Sequence, residues 1–237
     1  MANQFNRTEL LLGKENMEKL SKAHILIFGV GGVGGYVVEV LARSGIYHFT
    51  LVDNDVISET NINRQIIATL ETIGKDKVEV MKNRIISINK DADVEIRKCF
   101  YLPETASEFD FSQYDYVVDC VDTVSAKLSI IIEAKKNNVP VISAMGAGNK
   151  LNPAMLEVSD ISKTSVDPLA KVIRTELRKR GINHLKVVYS KESPIKIDDP
   201  NVELKEKSQR PVPGSNAFVP STMGLIMASE IIKDLII

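Results

Sequence analysis

The chain has 237 residues, a formal net charge of −1, and 44% hydrophobic against 26% charged residues. This length suits one large α/β domain, and the balanced charge excludes a globally basic nucleic-acid binder, so any basic patch must be local. Its two cysteines, Cys99 and Cys120, exclude a disulfide framework and a cysteine-rich zinc site.

Residues 1–22 read as an N-terminal arm without the basic-then-apolar pattern of an export signal. Residues 23–29 form an apolar strand running into glycines, followed by a helix over 33–44 and a strand over 48–53. The spacing of Val78, Met81, Ile85 and Ile88 predicts an amphipathic helix over 72–89. Strands are expected at 94–99 and 116–120, a helix at 125–138 that stops before Pro140, and a strand at 141–145. Alternation of this kind predicts an α/β, Rossmann-like, mostly parallel sheet with helices on both faces. The core would span 23–148, and 149–237 a smaller C-terminal α/β extension. In the extension, strands are expected at 155–158 and 185–189. They flank a helix over 168–180 that starts at Pro168 and stops at Gly181. Four prolines and many charges mark about 190–216 as a long loop. A closing helix over 221–235 carries Glu230, Lys233 and Asp234, too polar for a membrane span. The expectation is a soluble cytoplasmic protein.

Gly29-Val30-Gly31-Gly32-Val33-Gly34 fits G-x-G-x-x-G between a strand and a helix. Such glycines allow a tight turn and close approach of backbone to phosphates, which the helix N-terminus attracts. Asp53 closes the second strand, where a carboxylate can bond a ribose hydroxyl. The loop alone does not separate ATP from a dinucleotide. The polar run after it does: Asp55, Asn61 and Arg64 follow within a dozen residues, and Lys77 opens the next helix. Arg64 can pair with phosphate oxygens and Asn61 can donate to them. Asp122 stands just past a strand's carboxyl end, where it could hold Mg²⁺ against phosphates or cap the following helix.

These pieces, Gly29–Gly34, Asp53-x-Asp55, Asn61-x-Asn63-Arg64-Gln65, Lys77 and Asp119-x-x-Asp122, resemble the ThiF-type superfamily, the adenylating core shared with ubiquitin-activating enzymes. The resemblance implies that Asp53 binds ribose, that Arg64 and Lys77 hold phosphates, and that Asp122 faces the metal. It also implies a homodimer in which Arg7 reaches the partner's site. ATP and Mg²⁺ follow as cofactors, with a monovalent cation as a further candidate.

The C-terminal third is similar to one branch, the tRNA threonylcarbamoyladenosine dehydratases. The carrying segments are 146–153, 160–171, 186–190 and 213–220, among them Gly146-Ala147-Gly148-Asn149-Lys150 and Asp167-Pro168-Leu169-Ala170-Lys171. This implies ATP-dependent cyclisation of a tRNA side-chain carboxylate through an acyl-adenylate. Two rivals share the ATP half: an activator of a ubiquitin-like or sulfur-carrier protein, and a nucleotide-binding scaffold for a sulfur-transfer partner. No cysteine follows Cys120, so no downstream transfer thiol is available, and Cys120 is expected to pack. Intramolecular ring closure needs none.

A tRNA substrate needs basic surface. Between Lys163 and Arg210 stand twelve basic against seven acidic residues. Lys171, Arg174 and Arg178 share one helix face, with Leu169, Val172, Ile173 and Leu177 expected opposite. Phe218 and Tyr189 are candidate stacking partners for a base.

Overall fold

The computed structural model describes residues 3–197 and 212–237. A short helix α1 (Asn6–Leu12) and α2 (Lys14–Lys22) lead into β1 (His24–Phe28). Then follow α3 (Gly34–Arg43), β2 (His48–Val52), α4 (Lys77–Ile88), β3 (Asp93–Arg97), β4 (Tyr116–Asp119), α5 (Val124–Lys136) and β5 (Val141–Ala144). The last elements are β6 (Leu156–Asp160), α6 (Pro168–Arg178), β7 (Lys186–Ser190) and α7 (Val219–Ile236).

One seven-stranded sheet runs β3-β2-β1-β4-β5-β7-β6, parallel except for β6, which pairs antiparallel with β7. The C-terminal third therefore extends the same sheet. Strand order reverses between β1 and β4, the place where open α/β sheets leave a crevice at their carboxyl ends.

Both faces of β1, β2, β4, β5 and β7 are buried, which is why they read as apolar runs, while the edge strands β3 and β6 are partly exposed. Ile25 and Ile27 of β1 join Val118, Ile142 and Val188 in a core covered by α2, α3, α4 and α7. Leu26 and Phe28 face the other way, into a core with Val117, Val141 and Val187 under α5 and α6. Helix α7 lies against α3 so closely that a Cβ on Gly224 would stand 2.4 Å from the Val33 carbonyl oxygen.

Helix α4 begins at Lys77, five residues later than its apolar spacing suggests. Non-local pairing holds the preceding turn: Val56 bridges Asp76, Ile57 N–H donates to Lys75 O, and Gly74 N–H donates to Ile57 O. Gly74 has φ +81° there, a left-handed conformation that suits glycine. Helix α6 ends as expected from Gly181 (φ +75°). Ile182 N–H donates to Leu177 O and Gly181 N–H to Arg178 O, the bond pair of a glycine-terminated helix. Val172 does not join the apolar face. It is 44% exposed, while Ala170, Ile173 and Leu177 are buried. The expected loop around 190–216 lies partly outside the described residues; 191–197 and 212–216 form no regular element. Lys205, Lys207 and Arg210 of the basic stretch lie outside as well. No helix among the described residues is long and apolar enough to cross a membrane.

Candidate nucleotide and substrate site

A cavity of about 700 Å³ opens at the carboxyl ends of β1, β2, β4 and β5. Its first wall is the glycine loop. Gly29 turns out of β1 at φ +86°, and a Cβ there would stand 2.9 Å from the Cys120 carbonyl oxygen. Gly31 and Gly32 line the cavity, whereas Gly34 does not. A Cβ on Gly34 would meet the Gly29 carbonyl oxygen at 1.8 Å, so that glycine serves helix–strand packing.

Asp53, at the end of β2, holds this loop. Its Oδ2 accepts from Val30 N–H at 2.8 Å and its Oδ1 from Asp55 N–H at 2.9 Å. Burial pushes its carboxyl up from the ordinary aspartate value, with the Lys77 charge opposing. Lys77 itself is 5% exposed and donates from Nζ to Asp55 Oδ2 at 2.6 Å. A lysine at a helix start would ordinarily be solvated; burial against Asp55 sets this one apart. Arg64 is half-buried and lines the cavity. Its Nη1 donates to Thr60 O at 2.9 Å and Asn63 Oδ1 at 2.8 Å. Burial lowers its pKa from the usual guanidinium value.

The structure thus brings together Gly29, Gly31, Gly32, Asp53, Asp55, Arg64, Lys77 and Asp122 around one cavity. Besides Gly34, other expected residues stand outside the lining. Asn61 is outside the lining, and its Oδ1 accepts from Ser58 N–H at 3.1 Å, closing a 3-10 turn over Glu59–Asn61. Arg7 is exposed on α1 and outside the lining. Tyr189 is 1% exposed, with its hydroxyl donating to Glu157, so it cannot stack on a base. Phe218 remains 46% exposed.

On α6, Lys171 and Arg178 are exposed. Arg174 is half-buried, with Nη1 donating to the Thr164 carbonyl at 2.9 Å, so its first task is to fix the loop before α6. Cys99 and Cys120 both line the cavity. Burial pushes both thiols up; at Cys120 the Asp119 carboxylate adds to it. Neither is an activated thiolate.

Two buried ion pairs have no counterpart in the sequence reading. Lys127 of α5 and Asp119 at the end of β4 are both fully buried and 2.7 Å apart. Lys127 Nζ also donates to the Ala144 carbonyl at 2.9 Å, and Ser143 Oγ donates to Asp119 Oδ2. Lys150 and Asp167 are also 2.7 Å apart, and they line the cavity wall facing α6. Lys150 Nζ donates further to the Gly146 carbonyl at 2.6 Å, while Asp167 Oδ1 caps α6 through Ala170 N–H. Both lysines lie in stretches that read as ordinary helix or loop, and only their near-total burial distinguishes them.

Comparison with known proteins identifies the family. The ThiF family model matches residues 3–236. The tRNA threonylcarbamoyladenosine dehydratase of Bacillus subtilis is 45% identical over 100% of this chain and 96% of its own. The Escherichia coli protein of the same name is 32% identical over 97% and 92%. A crystal structure of the E. coli enzyme in complex with ATP superposes with a TM-score of 0.88 at 32% identity, covering 98% of this chain and 93% of that one. The chain therefore belongs to the ThiF family, where these full-length relatives are tRNA threonylcarbamoyladenosine dehydratases.

Proposed function

We infer that the chain is an ATP-dependent adenylating enzyme that cyclises threonylcarbamoyladenosine in tRNA with loss of water. The observation that carries this is the continuity of one cavity. It runs from the glycine loop, Arg64 and Lys77 to Lys150, Asp167, Pro213 and Ser215, in the C-terminal segments that resemble the dehydratase branch. One oxygen of the substrate carboxylate attacks the α-phosphorus of ATP, and the bond to pyrophosphate breaks. The carbamoyl group of the same side chain then attacks the acyl carbon and loses a proton, and the bond to AMP breaks. Both attacks join groups already held together, so positioning supplies much of the rate. Arg64 and Lys77 stabilise negative charge developing on the phosphates. Asp53 orients the ribose end through the loop it holds.

The carboxylates fit a magnesium ion shared with the nucleotide. Asp122, which lines the cavity at the exit of β4, is the carboxylate that would hold it, while Asp53 and Asp55 organise the loop and Lys77. Mg²⁺ takes one or two carboxylates with phosphates and water, and when bound it would neutralise phosphate charge. Exposed Arg7 fits a role in the partner's cavity of a homodimer. Mixed dimers of Arg7→Ala and Lys77→Ala subunits should then recover part of the activity; verified heterodimers that recover none would remove Arg7 from the site.

The reaction itself is tested by incubating the protein with ATP, Mg²⁺ and tRNA bearing threonylcarbamoyladenosine. Mass spectrometry of the nucleosides should show a product lighter by one water. Its absence with active ATP binding would overturn the assignment.

A further inference from the structure

The exit of β5 has an unusual hydrogen-bond balance. Met145 N–H donates to Val188 O and Asn149 N–H donates to Gly214 O, at 2.9 and 2.8 Å. Between them, the N–H groups of Gly146, Ala147 and Gly148 donate to no acceptor among the described residues. All three residues are half-buried and line the cavity. Main-chain donors seek an acceptor, and three without one in succession on a cavity wall suit an anion. Two carbonyls of the β5 exit are held by lysines. Lys127 Nζ holds Ala144 O, and Lys150 Nζ holds Gly146 O. Each lysine is neutralised by its own buried aspartate, so the clamps add no net charge against an incoming anion. β5 adjoins β4, and neighbouring strands lie about 4.8 Å apart. The donors therefore sit one strand from Asp122, on the side away from the glycine loop.

We propose that the backbone N–H groups of Gly146, Ala147 and Gly148 receive the substrate's carboxylate, with Lys127 and Lys150 as positioning residues that hold them. This rests on the dehydratase reading and deepens it. A carboxylate needs donors beside the α-phosphate, and Arg64 and Lys77 are taken by the nucleotide. Side chains at this wall are kept small for a stated reason: a Cβ on Gly146 would meet Asp167 Oδ2 at 2.9 Å, and one on Gly148 would meet the Pro213 Cβ at 2.8 Å.

The test compares a short RNA hairpin bearing threonylcarbamoyladenosine with the same hairpin as its methyl ester. Charge-assisted hydrogen bonds set the scale, and the wild-type protein should bind the carboxylate form about tenfold tighter. Lys150→Met with Asp167→Asn keeps an acceptor for the α6 cap but frees the Gly146 carbonyl. In this variant the preference should fall close to unity while ATP affinity stays unchanged. Ala147→Pro deletes one donor that has no acceptor among the described residues, and it should lower the preference without touching the ion pair. A merely structural role would weaken both hairpins alike and leave their ratio intact. A wild-type protein without the preference, or folded variants that keep it in full, would overturn the proposal. Failure of the wild-type protein to form cyclic product would instead strike the dehydratase reading, because the affinity ratio is measured without turnover.

Discussion

The two walls of the cavity are built on different principles. The nucleotide wall uses residues close in sequence to strand ends: Gly29 after β1, Asp53 after β2, Asp122 after β4. Its one buried cation, Lys77, is paired with an aspartate that is 58% exposed. The opposite wall is backed by buried pairs, Lys127 with Asp119 behind it and Lys150 with Asp167 in its lining, whose side chains are at most 1% exposed. A phosphate site must be reachable and can borrow charge from its ligand. A wall that shapes a single side-chain carboxylate has to hold its backbone still before the ligand arrives.

This contrast orders the expected effects of substitution. Lys77→Ala should be the most damaging, lowering adenylate formation about a hundred- to a thousandfold with little loss of stability, as read by ATP–pyrophosphate exchange and thermal melting. Comparable loss of stability would assign Lys77 to structure. Asp119→Leu should do the reverse. It strands the Lys127 charge in the interior at a cost of about 3–5 kcal/mol, measured by urea unfolding. Adding Lys127→Met should return much of that, and no return would mean that the pair is not the source. Weaker effects belong to the surface. Lys171→Glu with Arg178→Glu should raise the KM for tRNA about tenfold, flatten its salt dependence and leave the KM for ATP unchanged. Arg174 is excluded from that pair because its bond to Thr164 confounds binding with folding. Smallest of all, Cys99→Ser with Cys120→Ala should retain most of the cyclisation rate. A folded double variant that forms adenylate but no cyclic product would restore a covalent cysteine route.

The legibility of the sequence follows the same division. The place of the glycine loop and Asp53 on the cavity could be read because it depends on local spacing around a strand end, and β1, β2 and β4 were visible as apolar runs buried on both faces. The start of α4 could not, because the bridge from Val56 to Asp76 overrides the helical pattern before Lys77. Asn61 reads as a phosphate donor by its place in the polar run, yet its carbonyl closes a turn. Tyr189 reads as a candidate stacking partner for a base, but alternation along β7 turns it into the core under α6. Lys150 and Asp167 are seventeen positions apart, and they meet only because β6 runs back along β7. No periodicity announces such a pair.

The contact between α7 and α3 has a consequence for how the protein is made. Val37, Val38 and Leu41 of α3 share a core with Val219, Met223, Met227 and Ile231 of α7, and Gly224 lets the two backbones approach at the N-terminal end of α3. The helix that carries the glycine loop is therefore among the first elements to leave the ribosome and among the last to be covered. Until the C-terminal third has been synthesised, the nucleotide half presents its apolar stripe to solvent or to a chaperone. A nascent chain should accordingly gain its affinity for ATP late in synthesis, at about the time when the substrate wall also comes into existence.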